Sequence, residues 1–251
     1  MSEPDGFEVR TVVHLIRPWG EPVSDLEDLH AAVAAAPAEV LFYHTLQVQL
    51  RDPAASELPI DDVSAWVGGV IQDFETAERI SYSVQNESGS ADQVRNAMLT
   101  VLDSLALSER SSRRAPAECV LQLLVAESIP VPIGLTARDG EQLVTALTSA
   151  DPGIWFYHVI EQPWFGHGAF PLAEWLQAVR EARLAGWVRE SASPGHPLER
   201  SRERLRRRWR RSRLARRIAE AEAVPEDERR RVGREVVARL LKRATSPGNE
   251  P

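Results

Sequence analysis

Cysteine, lysine and long apolar runs are what this 251-residue chain has least of. Its single cysteine, Cys119, permits no internal disulfide and no multi-cysteine metal or cluster site, so a reducing compartment is the natural setting. No run of 18 apolar residues is present, which excludes a membrane-spanning helix. The acidic start MSEPDGFEVR has neither the basic beginning nor the apolar run of a signal peptide, and we expect a cytoplasmic protein. Also missing are a GxSxG elbow, a P-loop, a GxGxxG fingerprint, HExxH and CxxC. Without them the commonest signatures of hydrolases, nucleotide enzymes and metalloenzymes are excluded. No metal or cofactor is expected.

What is present is apolar material and a segregated charge. At 43% hydrophobic the chain can bury a substantial core. The formal charge of −7 hides an asymmetry: residues 1–196 carry 12 basic residues against 28 acids, a net −16, while residues 197–251 carry 18 against 9, a net +9. A split of this kind points toward partners rather than chemistry.

An internal repeat runs through the acidic part. Sliding the chain by 114 residues places Pro18, Gly20, Asp25, Glu27, Leu29, Phe42, Tyr43 and His44 on Pro132, Gly134, Asp139, Glu141, Leu143, Phe156, Tyr157 and His158. Further on, Trp66 aligns with Trp175, and Val94, Val101 and Leu105 align with Leu198, Leu205 and Trp209. Each copy opens with an extended segment, EVRTVVHLI or ECVLQLLVAE, followed by a Pro-x-Gly turn. A helix capped by Ser24 or Asp25, or by its counterpart in DGEQLVTALTSADP, comes next. The Tyr-His block is compatible with a strand by its alternation and with a helix by its continuity; the balance favours helix. DDVSAWVGGVIQDFETAERI predicts one amphipathic helix burying Val63, Trp66, Val67, Val70, Ile71 and Phe74, and SVQNESGSAD a linker.

The expected fold is mostly α with minor β: two tandem, pseudo-symmetric helical modules, 9–107 and 118–222, joined through SERSSRRAPA, with a C-terminal basic helical extension. Residues 225–243 predict a last amphipathic helix, and 1–8 and 244–251 predict disordered tails. The pattern PIGLTARDGEQLVTALTSADPGIWFYH with FPLAEWLQAV resembles the bacterial and archaeal family known as domain of unknown function 5752, through Gly134, Ala137, Leu143, Ile154, Tyr157, His158, Ala173 and Trp175. The first copy resembles it through Leu29, Tyr43, His44 and Trp66, while Pro-Ile-Gly and the arginine-rich last helix depart from it. The resemblance implies a fold and a repeat, and no activity.

Two places can carry function. Histidine titrates near neutrality, so Tyr43-His44 and Tyr157-His158 are the candidates for chemistry. Glu161 and His167 could assist His158 as acid, base or ligand, and Trp155 and Trp164 flank it as possible ligand contacts. The first copy has Gln47 and Pro53 instead, which favours a structural role for the pair: buried rings satisfying backbone groups. Cys119, inside an apolar segment, is expected to be buried and inert, and Trp66 and Trp175 to be core residues.

The second place is RSRERLRRRWRRSRLARR, residues 200–217, with 11 arginines and one glutamate. Leu198, Leu205 and Trp209 keep core spacing, so Arg204, Arg206, Arg207, Arg208, Arg210, Arg211 and Arg213 are expected on a folded helix as a binding surface. Its partner is expected to be an acidic protein surface or a second copy of the chain. Nucleic acid is the alternative, opposed by the −16 body, and a peripheral membrane contact is less favoured because no bulky apolar face adjoins the arginines. The chain therefore reads as a non-catalytic binding or adaptor protein. A ligand-binding regulator or enzyme using the His158 neighbourhood is the competing reading.

Overall fold

A computed structural model describes residues 5–51, 53–55, 57, 60–87, 89–166, 169–192, 196–223, 231 and 234. The chain is mostly helical with one two-stranded sheet. Strand β1 (Phe7–Pro18) pairs antiparallel with β2 (Leu124–Ala137), so the two stretches expected to open separate modules share one ribbon. His14 lies opposite Ser128, the residue 114 positions later, which puts the centre of the ribbon on a local two-fold relation. The same relation links the ribbon's ends: Val23 bridges Leu121 as Ala137 pairs Phe7.

Two expectations about β2 change. Pro132-Ile133-Gly134 is no turn; it lies inside the strand, where the register slips opposite Val9 and Arg10. Gly134 takes φ +74 there, a left-handed conformation that glycine adopts without a Cβ clash. Its counterpart Gly20, with φ +65, makes the expected turn after β1. Cys119 is exposed in a short 3-10 turn, Ala117–Cys119, ahead of the strand. Phe7 and Glu8, expected in a tail, open β1.

Helices α1 (Leu26–Ala35) and α2 (Ala38–Thr45) follow the first strand, and Asp25 caps α1 by accepting from the amides of Glu27 and Asp28. Helix α3 (Val48–Arg51) is a single turn. The predicted long helix over 61–80 is broken: α4 (Asp62–Trp66) passes into a π-helical turn (Val67–Ile71), and α5 (Phe74–Glu87) starts afresh. Gly68 and Gly69 weaken the α-helix, Gln72 turns left-handed at φ 59, and Asp73 caps the new start at the Thr76 amide. Phe74 is consequently exposed rather than on the buried stripe. Because α5 runs to Glu87, the linker before α6 (Ala91–Asp103) is shorter than predicted. The expected boundary loop carries α7 (Leu107–Arg110) and packs back on the first half, with Arg110 bound to Glu27 and the Ala115 amide to the Ser24 carbonyl.

The second half again runs from a strand into helices, but its π-helical turn falls on the Tyr-His block instead of after the tryptophan helix. Asp139 caps α8 (Gly140–Leu147), and α9 (Pro152–Trp155) continues as a π-helical turn (Phe156–Glu161) into α10 (Gln162–Phe165). After α11 (Pro171–Ala178) and α12 (Ala182–Ser191) comes α13 (Leu198–Ala223). The Tyr-His block is helical in both halves. Chain contacts divide the protein into two compact units, Met1–Arg206 and Arg207–Pro251. The core of the first unit is centred on Phe42 and Phe156, both wholly buried, with ring centroids 5.5 Å apart. No described helix is long and apolar enough to cross a membrane. The predicted C-terminal helix, apart from residues 231 and 234, and the 244–251 tail lie outside the described residues.

Candidate functional site

Each histidine of a Tyr-His pair reaches across to the strand of the other half. The Arg10 amide donates to His158 Nε2 at 2.9 Å, and the Leu124 amide donates to His44 Nε2 at 2.9 Å. Arg10 and Leu124 are 114 positions apart, as are His44 and His158. The tryptophans behave alike: Trp66 Nε1 donates to the Cys119 carbonyl and Trp175 Nε1 to that of Asp5. Trp66 is buried and Trp175 half-buried against Phe7.

Accepting at Nε2 assigns the proton of both rings to Nδ1. In the second half Nδ1 of His158 donates to Gln162 Oε1 at 3.0 Å, and Gln162 also donates to the Tyr157 hydroxyl. In the first half Nδ1 of His44 donates to Asp62 Oδ2 at 2.9 Å, while Arg51 binds both Asp62 oxygens at 2.6 and 2.8 Å and lies over the Tyr43 ring. Both histidines therefore have both ring nitrogens engaged. Burial pushes the His158 pKa down to about 4, more than the Gln162 bond raises it, so the ring is neutral at physiological pH. Burial also lifts Asp62, but the hydrogen bonds from His44 and Arg51 outweigh it and hold the carboxyl below its usual range. Asp61, the N-cap of α4, is driven upward by its burial.

The other proposed helpers are elsewhere engaged. Glu161, 2% exposed, bonds His14 Nε2 at 3.0 Å across from β1. His167 lies outside the described residues. Trp155 and Trp164 are buried, the latter 5.1 Å from the Phe42 ring. Among the described residues no group of three His, Cys, Asp or Glu could hold a metal. His14 and Asp62 were not singled out as partners by the sequence, because their partners lie on distant elements; the inward position of His14 on an alternating strand was the available signal. A cleft of about 700 Å³ opens at the ribbon end, lined by Arg17, Trp19, Glu39, Glu127, Ser128 and Phe165.

On α13, Leu198, Leu205 and Trp209 are buried. Arg204, Arg207, Arg210 and Arg211 are exposed; Arg206, Arg208 and Arg213 are half-buried, with Arg206 bound to Glu203 at 2.8 Å. One arginine of the run is internal: Arg202, 5% exposed, donates to the carbonyl of Leu147, the last residue of α8, and to that of Ser149 just after it, and bonds Glu199. These orphan carbonyls end a helix, and the guanidinium satisfies them. Replacing Arg202 by Met keeps the stem and leaves the carbonyls bare; we expect a loss of about 1–3 kcal/mol in urea denaturation.

Among solved structures the chain is similar to OrfY from Thermoproteus tenax, with 22% identity and a TM-score of 0.65 over 80% of this chain and 92% of that one. The likeness is one of fold. No curated protein matches the chain. The sequence model of DUF5752, a family of unknown function, matches residues 4–209, and the chain belongs to that family.

Proposed function

We propose that the chain is a non-catalytic cytoplasmic binding protein, built from two copies of one helical module, whose arginine-bearing α13 docks on an acidic protein surface. The observation that carries this reading is the exposed row Arg204, Arg207, Arg210, Arg211 and Arg217 on a helix anchored by buried Leu198 and Leu205. A helical backbone presents guanidinium groups at lower entropic cost than an unstructured segment does. The engagement of both nitrogens of His44 and His158 supports a non-catalytic role, since neither imidazole is available to a substrate. The reciprocal amide-to-histidine and indole-to-carbonyl bonds support the duplication, because the residues that make them are related by the offsets of the sequence repeat.

Fluorescence anisotropy of the full chain with labelled polyglutamate and with labelled duplex DNA separates acidic protein from nucleic acid. Polyglutamate should bind and dissociate as salt rises, and at equal salt it should bind more tightly than the duplex, because a flexible chain can follow the arginine helix and stay clear of the −16 body whereas a stiff, wide, densely charged rod cannot. Preferential binding of the duplex would replace this reading with a nucleic-acid accessory role.

A further inference from the structure

Among the described residues, two apolar surfaces stand exposed. One is the outward face of the ribbon: Val13 and Leu15 are 56% and 55% exposed, and their neighbours Ile129 and Val131 on β2 are exposed beside them. On the opposite face Val12, Ala126 and the His14 ring are buried in the protein, while Ile16 at the ribbon end is 41% exposed. Exposed Glu127 pairs with Leu15 on that outward face, and exposed Glu39 lies with it in the cleft at the ribbon end. The cleft wall therefore holds two carboxylates against one guanidinium, that of Arg17. The other surface is on α13, where Leu214 and Ile218 are 61% and 49% exposed. They stand four residues apart on one helical stripe, flanked by exposed Arg210, Arg211 and Arg217.

These surfaces are complementary in both chemistries: an apolar strand face edged by carboxylates, and an apolar helical stripe edged by guanidinium groups. A flat ribbon face of branched aliphatic residues exposed to water marks a contact surface in a protein of this size. We infer that the outward face of the β1–β2 ribbon receives α13 of a second copy of this chain, with Leu214 and Ile218 on Val13, Leu15, Ile129 and Val131, and the arginines on Glu127 and Glu39. This rests on the reading of α13 as the contact helix and names its partner. The two surfaces differ, so the contact is heterologous, and copies add head to tail unless the arrangement closes into a ring.

Because every residue involved is exposed, substitutions there leave the core intact, which circular dichroism and thermal melting check. Light scattering of the full chain over a range of concentrations should give a mass above the monomer. A helix variant (L214E, I218E) and a ribbon variant (V13E, I129E) should each be monomeric alone. Mixed together they should form a dimer, since the intact ribbon of the first meets the intact helix of the second. Exchanging charge, E127R with R210E and R211E, should restore the association that E127R alone weakens. A wild-type chain that stays monomeric overturns the inference, as does a mixture that stays monomeric. A ribbon variant that still associates, with the helix variant monomeric, overturns the ribbon as receptor while leaving α13 as the contact helix. Failure of polyglutamate binding with the mixing result intact would instead remove the general acidic partner and keep the second copy.

Discussion

Between neutral pH and about pH 4 the wild-type chain should lose roughly 3 kcal/mol more stability than a His158→Gln variant. Folding depresses the His158 pKa from 6.5 to about 4, so the unfolded chain binds the proton more readily across that interval. The stability this ring contributes is complete above about pH 6.5 and is lost as pH falls toward the folded value. Glutamine can still accept from the Arg10 amide through its oxygen but does not titrate, so the variant isolates the proton's contribution from that of the hydrogen bond. Urea denaturation at a series of pH values reads the difference. Parallel pH profiles for the two proteins would mean that His158 is open to protonation in the folded state, and with it open to substrate chemistry.

The second large effect concerns the shared core. Phe42 and Phe156 lie 114 positions apart, are wholly buried and meet at 5.5 Å. Phe42→Ala and Phe156→Ala should each cost about 3–5 kcal/mol, from lost burial and the cavity left behind. The double variant should lose less than the sum by about 1 kcal/mol, the coupling expected of an aromatic pair in contact. Additive losses, measured by urea denaturation of the four proteins, would mean that the halves have independent cores.

How much of this was legible in the sequence depends on the range of the interaction. Caps are local, and Asp25 and Asp139 could be read from a short polar side chain ahead of a helical run. The mostly helical class with minor β followed from periodicity in the same way. The ribbon did not, because each strand finds its partner more than a hundred residues away and nothing in either segment names the other. Pro132-Ile133-Gly134 has the composition of a turn, and only pairing with β1 makes it a bulge. Phe74 fitted the helical stripe, but the left-handed Gln72 rotates the following helix and sends that ring outward. The His44 and His158 roles were half legible: loss of Glu161 and His167 at the first copy's positions argued for structure, while the amide donors came from the opposite strand. Arg202 was hidden among its neighbours, since charge alone does not separate an arginine that satisfies carbonyls from one that faces solvent.

The working surface proposed for this protein is the arginine face of α13, and its proposed partner is acidic. The most direct test is the binding of labelled polyglutamate to the full chain and to a full-chain variant carrying R204E, R210E, R211E and R217E, each verified as folded by thermal melting. The wild type should bind with an affinity that falls steeply with salt, and the variant should show no binding. Equal binding by the two proteins would contradict the account.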